Sequence, residues 1–206
     1  MKDRSAHLDR RYAAAAPTWS DKMRLLGYLD AYLGFLSHMP PARHRPARVI
    51  DIGAGTGAMA EAWTAINGVP EEIVLLDPSR PMLEVAEAAL KRRGVAPGLR
   101  VAALGSGARE QYDVLLAAHV IEHFDDPGVA LRDIRRLAAP GSRLWLVVSK
   151  PHWCNVIVWL QWRHRTFRTD EVTGLLRDAG FDVESLYTFP SGPPSRTSFA
   201  VLARAA

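Results

Sequence analysis

From Arg48 onward, apolar residues come in short unbroken runs, and between these runs they recur every three or four positions. The runs fit strands covered on both faces, and the wider spacing fits helices with one buried side. Residues 49–52 read as a first strand, followed by a helix over about 58–66. Residues 73–76 give a second strand, and 81–93 its helix, with Pro81 near the helix start. A weaker third strand covers 99–103, a fourth covers 112–118, and a helix covers 129–137. Pro140-Gly141 reads as a turn into a strong strand over 143–148. A helix over 169–179 stops at Gly180, and strands at 183–189 and 199–203, joined by a Pro/Gly/Ser loop, suggest a hairpin. Upstream, Leu25, Leu26, Leu29, Tyr32, Leu33 and Leu36 keep helical spacing until Pro40-Pro41 ends it. The alternation predicts an α/β fold, a doubly wound, mostly parallel sheet with helices on both faces. Residues 1–46 form an N-terminal helical cap and linker, and 47–206 the main body of one structural unit. In such sheets ligands lie at the carboxyl ends of strands near the switch point, so the ends of strands one, two and four matter most.

The first of these ends is Asp51-Ile-Gly53-Ala-Gly55-Thr-Gly57. Glycines there permit positive φ and close approach of a ligand to the backbone, whose N–H groups and following helix N-terminus face it. The stretch also fits a dinucleotide fingerprint through Gly53, Gly55 and Ala58. Asp77 stands at the end of the second strand, 24 residues after Gly53. A carboxylate there can accept from both hydroxyls of a ribose, whatever else the ligand carries. Asp51 discriminates, because it would repel a pyrophosphate and attract a ligand bearing an ammonium and a sulfonium. The competing structural roles are capping of the turn or helix for Asp51 and an N-cap ahead of Pro81 for Asp77.

Five segments then come in a telling order: Val49-Ile-Asp-Ile-Gly-Ala-Gly-Thr-Gly57, Leu76-Asp-Pro-Ser-Arg-Pro-Met-Leu83, Tyr112-Asp-Val-Leu-Leu-Ala-Ala-His-Val-Ile-Glu-His-Phe124, Leu137-Ala-Ala-Pro-Gly-Ser142 and Ala179-Gly-Phe181. Through them the chain resembles the class I S-adenosylmethionine-dependent methyltransferases over about Arg48 to Leu202, with a weaker echo at Tyr12-Ala-Ala-Ala-Ala-Pro-Thr-Trp19. The resemblance implies a seven-stranded sheet of order 3-2-1-4-5-7-6 with one antiparallel strand, and methyl transfer from S-adenosylmethionine. Carried over, Asp51, Gly53 and Gly55 look like contacts to the methionyl part, with Ala54, Gly57 and Ala118 beside them. Asp77 looks like the ribose ligand, and Pro78 and Met82 like walls near the adenine. The family usually has an acid after the third strand that reaches the adenine amino group. This chain has Ala103-Leu-Gly-Ser-Gly107 instead, which leaves adenine to Leu104 and backbone groups.

His119 and His123 follow the fourth strand and are the candidate general bases, since a hydroxyl or acidic carbon nucleophile must lose a proton. His119 lies nearer the expected methyl position, and His123 has the scaffold of the rim as its competing role. The segment spells H-x-x-E-H, a zinc pattern, but it continues an apolar strand and soon meets Asp125-Asp126-Pro127, so no metal is expected. Relatives that methylate bases carry an Asn/Asp-Pro-Pro-aromatic segment here, and this chain has none. Tyr12, Trp19, His119, His152 and Trp153 are the candidate substrate pocket. Trp153, Trp159 and Trp162 lie next to a basic run over 163–168, which suits a packed helix, an apolar lid or an element dipping into a membrane surface.

Composition narrows the classes. The 206 residues favour one domain, and 48% apolar with 23% charged residues is ordinary for a globular chain. The apolar run 156–160, unsurpassed in length, is far short of a membrane span, and no apolar stretch follows the charged start to make a signal peptide. The single cysteine, Cys154, excludes a disulfide framework, and a reducing cytoplasmic setting is expected. The net charge of +4 comes from 26 basic and 22 acidic residues, too mild an excess for a nucleic-acid partner. The expected function is methylation of a small, largely apolar acceptor by in-line displacement, with S-adenosylmethionine as cofactor. A lipid or quinone acceptor at a membrane surface is the alternative within the class. A nicotinamide-dependent oxidoreductase, or a cofactor-binding protein without catalysis, is the alternative outside it.

Overall fold

The computed structural model describes residues 19–38, 47–107, 110–152 and 165–206. Strand β1 (Arg48–Ile52) shows how the sheet is built. Ile50 and Ile52 enter one core and Val49 enters the other, because successive side chains point to opposite faces. Asp51 occupies the remaining position on the Val49 face. β2 (Glu72–Asp77) repeats the scheme, with Val74 and Leu76 on one side and Ile73 and Leu75 on the other. With β3 (Gly98–Val101), β4 (Tyr112–Ala118), β5 (Ala138–Ser149), β6 (Phe181–Tyr187) and β7 (Ser198–Ala205), the order is β3-β2-β1-β4-β5-β7-β6. β7 runs antiparallel to β5 and β6, and the other neighbouring pairs are parallel. The seven-stranded order implied by the family resemblance is therefore the one observed.

Helices α1 (Tyr28–Ser37), α2 (Ala58–Asn67) and α3 (Arg80–Lys91) cover one face, and α4 (Pro127–Arg136) and α5 (Thr169–Asp178) the other. The short helix α6 (Gly192–Thr197) sits in the loop between the hairpin strands. α4 starts as the sequence dictates: Pro127 opens the helix and the Asp126 carboxylate accepts from the Gly128 and Val129 N–H groups. None of the described helices is long and apolar enough to cross a membrane.

Two expectations are corrected. The N-terminal pattern does not make one helix running to Pro40. Residues 19–25 are helical, the chain breaks at Leu26-Gly27, and α1 ends at Ser37. Gly27 has φ 80°, a left-handed turn that reorients the apolar stripe, so Leu25 is left 88% exposed while Tyr32, Phe35 and Leu36 are buried. Pro140-Gly141 does not precede β5 but lies within it as a bulge. Tyr112 pairs with Ala138 and Val114 with Arg143, so five steps on β5 oppose two on β4.

α1 is continuous with the core beneath it. Its Phe35 ring stands 5.0 Å from the Trp145 ring of β5. Arg24, in the segment before it, and Arg93, just after α3, both pair with the buried carboxylate of Glu61 on α2. These contacts hold the N-terminal segment against the helices that follow β1 and β2.

A candidate cofactor cleft at the strand ends

The turn between β1 and α2 is stitched to β2. Ala54 N–H donates to the Leu76 carbonyl at 3.1 Å, and Gly55 N–H donates to Asp77 Oδ2 at 2.9 Å. Asp77 Oδ1 accepts from Ser79 N–H at 2.8 Å, ahead of α3. One carboxylate thus sets the glycine turn and the start of the next helix against each other. The glycines are not equivalent. A β-carbon at Gly53 (φ +64°) would come 2.6 Å from Val120 Cγ2, and one at Gly57 (φ +82°) would come 2.8 Å from Ala86 Cβ. Among the described residues, a β-carbon at Gly55 (φ +51°) would meet only the Gly53 carbonyl oxygen, at 4.0 Å. Gly53 and Gly57 are therefore required by the protein's own packing, whereas Gly55 keeps an open backbone face on which a ligand can lie.

Asp51 is 1% exposed and its Oδ2 accepts from Ala60 N–H, in the first turn of α2, at 3.1 Å. Gly57, the residue ahead of α2, has no side chain to cap the helix, so the strand supplies the cap. Burial pushes the Asp51 carboxyl up to about 8. The Ala60 N–H pulls it partly back, and the charge of Asp77 adds to the rise. The residue expected to present a negative charge therefore holds its proton at neutral pH in the ligand-free chain.

A second group of side chains lies at the ends of β4 and β5. His119 has φ 58°, the one non-glycine residue with positive φ among the described residues. Its backbone N–H donates to Val147 O at 2.9 Å. Its Nδ1 lies 3.2 Å from Glu122 Oε1 and 3.1 Å from Ser149 Oγ. Glu122, buried on the 3-10 turn Ile121–His123, also accepts from Ser149 N–H at 2.8 Å. Burial alone would raise its pKa, but the hydrogen bond and charge of His119 and the N–H of Ser149 outweigh it and hold the carboxyl below its ordinary range. From α1, the Tyr28 ring meets His119 edge-on at 5.7 Å, and its hydroxyl lies 3.0 Å from Thr197 Oγ1. Tyr32 stands 6.1 Å from Tyr28, and its phenol is pushed well up by burial, with Tyr28, Asp51 and Glu122 adding to the rise. α1 thus brings two phenols toward Asp51 on β1 and Glu122 on the turn after β4.

A family model described as a methyltransferase domain matches residues 24–186. The chain belongs to that family of methyltransferase domains. Among curated relatives, a ubiquinone biosynthesis O-methyltransferase of Xanthomonas axonopodis pv. citri is 28% identical over 141 residues, covering 66% of this chain and 58% of that protein. A ubiquinone/menaquinone biosynthesis C-methyltransferase of Idiomarina loihiensis is 32% identical over 114 residues, covering 52% of this chain and 45% of that protein. The chain thus spans about half the length of such relatives. Among solved structures, the 1,6-didemethyltoxoflavin-N1-methyltransferase of Burkholderia thailandensis, which holds its substrate and S-adenosylhomocysteine, has a TM-score of 0.72 at 18% identity and covers 100% of this chain and 90% of that one. The magnesium protoporphyrin IX methyltransferase of Synechocystis, with bound S-adenosylhomocysteine, has a TM-score of 0.68 at 15% identity, covering 88% and 83%. At such identities these structures speak for the fold.

In this methyltransferase domain, of the residues read from the sequence as cofactor contacts, Asp51, the glycine turn, Asp77 and Ala118 lie at or beside the ends of β1, β2 and β4. Ala54 is buried in the turn, Ala118 closes β4, and Pro78 is exposed beside Asp77. Met82 is buried on α3. Leu104 packs half-buried on the core under α4, and a β-carbon at Gly105 would come 2.7 Å from Asp133 Oδ2, so that loop rests on the helix. Trp19 and His152 are half-buried, and His123 is exposed on the 3-10 turn. His119 leaves a strand and His123 sits on that turn, so the two never share a helix face and the zinc spelling has no structural counterpart. Tyr12 and Trp153 lie outside the described residues. Sequence reasoning missed Tyr28, Glu122 and Ser149 as site residues. The available signal was their position: Ser149 ends the fifth strand, and Glu122 lies one helical turn from His119.

Proposed function

We propose that the chain transfers the methyl group of S-adenosylmethionine to a small, largely apolar acceptor. The observation that carries this is the glycine turn, with the open backbone at Gly55 tied to Asp77 and a buried acid at Asp51 alongside. These residues fit the donor. Asp77 is a carboxylate at the end of β2 that can accept from ribose hydroxyls, the bare face at Gly55 admits the ligand to the backbone, and Asp51 can release its proton to water and then pair with an ammonium group. When bound, S-adenosylmethionine supplies a methyl carbon already activated by its sulfonium. The protein's work is then to align that carbon with the acceptor and to exclude water. His119, at the end of β4, is the residue placed to receive a proton from the acceptor.

The test is calorimetric titration of the chain with S-adenosylhomocysteine and, separately, with NAD. Saturable binding of the first with little of the second is expected, and a preference for NAD overturns the reading. The quinone-related names of the curated relatives favour a second reading, a lipid or quinone acceptor met at a membrane surface. Co-sedimentation with anionic vesicles is expected for it, and a chain that stays in the supernatant removes it.

A further inference from the structure

Two buried polar atoms near the end of β4 have no hydrogen-bond partner among the described residues: Nε2 of His119 and Oε2 of Glu122. The residues that carry them are joined by their other atoms. Glu122 Oε1 receives Ser149 N–H at 2.8 Å and faces His119 Nδ1 at 3.2 Å. An ionised carboxylate only accepts hydrogen bonds, so Nδ1 must carry the imidazole proton. Whenever the ring is neutral, its free lone pair is then on Nε2. With Nδ1 protonated, Ser149 Oγ, 3.1 Å away, is a second acceptor for the same N–H. The backbone enforces the arrangement. His119 has φ 58°, a conformation that a side-chain-bearing residue keeps only when its surroundings over-determine it, and its N–H is fixed to β5 at Val147. The Tyr28 ring, edge-on at 5.7 Å, packs against the imidazole from α1.

We propose that Glu122 is a positioning residue that holds His119 in the Nδ1–H tautomer and so makes Nε2 the proton acceptor of the site, for an acceptor molecule that reacts through a hydroxyl. This rests on the methyl-transfer reading above. In the step it serves, the acceptor oxygen forms a bond to the methyl carbon as the carbon–sulfur bond breaks, and sulfur keeps that electron pair. The hydroxyl proton passes to Nε2, and the Glu122 carboxylate faces the imidazolium that results. A hydroxyl needs this help more than a thiol or a neutral amine does, because a phenol ionises only near pH ~10 and an unionised oxygen is a weak nucleophile.

The test is long-range nitrogen–proton NMR on histidine-labelled, ligand-free protein above the ordinary histidine pKa, with the His119 signals assigned by their loss in His119→Gln. The wild type is expected to show protonated Nδ1 and bare Nε2. Glu122→Gln retains an accepting carbonyl and should keep that tautomer. Glu122→Ala removes the acceptor and should move the majority of molecules to Nε2–H. A wild type with protonated Nε2 overturns the proposal, and so does a folded Glu122→Ala protein whose tautomer is unchanged. If Glu122→Ala does not fold, the wild-type spectrum decides. Titrating S-adenosylhomocysteine into the same sample separates the two readings. Binding together with an Nε2–H tautomer removes Glu122's role and leaves methyl transfer standing. Absence of binding removes the methyl-transfer reading and, with it, the step that Glu122 serves.

Discussion

The protonated carboxyl at position 51 makes a prediction that needs no substrate. In the folded chain its pKa is about 8, against about 3.9 for an unperturbed aspartate. Between those two values the folded state keeps a proton that the unfolded chain has lost, so stability falls as pH rises, by about 1.4 kcal/mol per unit. From pH 5 to pH 7 this one residue should remove about 3 kcal/mol, a large part of a typical domain's stability. Asp51→Asn keeps an oxygen that can accept from Ala60 N–H but has nothing to titrate. In urea unfolding at pH 5, 6 and 7 without ligand, the variant should therefore gain on the wild type steadily with pH, by about 3 kcal/mol across the range. The same variant should bind S-adenosylhomocysteine more weakly by roughly ten- to a hundredfold, because a charge-assisted hydrogen bond to the ammonium is worth about 1.5–3 kcal/mol. In the wild type, binding should tighten as pH rises toward the carboxyl's own midpoint, because less work is then needed to ionise it. A stability difference between variant and wild type that stays flat from pH 5 to pH 7 would refute the account of a buried, protonated Asp51.

Three further substitutions probe the same cleft. Asp77→Ala removes the acceptor of Gly55 N–H and the expected ribose ligand, and should weaken S-adenosylhomocysteine binding by about 1.5–3 kcal/mol in calorimetry; unchanged affinity would dismiss the ribose role. Gly53→Ala forces a β-carbon to within 2.6 Å of Val120 Cγ2 at a positive φ, so it should cost about 1–3 kcal/mol in denaturant unfolding. Gly55→Ala meets no such clash, and its larger effect should be on ligand affinity; equal stability losses in the two variants would contradict the division of roles. His119→Ala should lower turnover of a competent acceptor far more than affinity for S-adenosylhomocysteine, and parallel losses would mark His119 as structural.

Most of the elements were legible because strands buried on both faces write themselves as unbroken apolar runs, whereas the sheet order came only from the family resemblance. Val49-Ile50 and the run 114–117 admit little else. The errors fell where one local signal stood for two structures. Pro140-Gly141 is turn chemistry, and a bulge within β5 uses the same residues as a loop before it. The leucines of residues 25–36 kept one helical period across a break made by Gly27, whose left-handed φ leaves no trace in hydrophobic spacing. In the cleft, Gly53, Gly55 and Gly57 read alike. Their separate duties depend on Val120 and Ala86, which come from distant segments. The partnership of Glu122 with His119 was hidden for another reason. Its three-residue spacing is visible, but the strained backbone at His119 and the approach of Ser149 from β5 are tertiary facts.

The two buried acids of the cleft show why position alone cannot assign a charge. Asp51 and Glu122 are about equally withdrawn from water, and burial pushes both toward the neutral form. Asp51 has one backbone N–H to set against that cost, together with the repulsion of Asp77, and it stays protonated. Glu122 has Ser149 N–H and a histidine, and it stays ionised. The outcome suits what each would meet during methyl transfer. Under the proposed methyl transfer, the neutral acid would release its proton to water when a cationic donor arrives and would then face the donor's ammonium. The ionised one is already charged when a proton reaches His119. Divergent protonation of two carboxyls in one site is the mark of divided labour. Here the difference is that Asp51 receives one N–H from the start of α2, whereas Glu122 receives one N–H from β5 and also faces His119 at the end of β4.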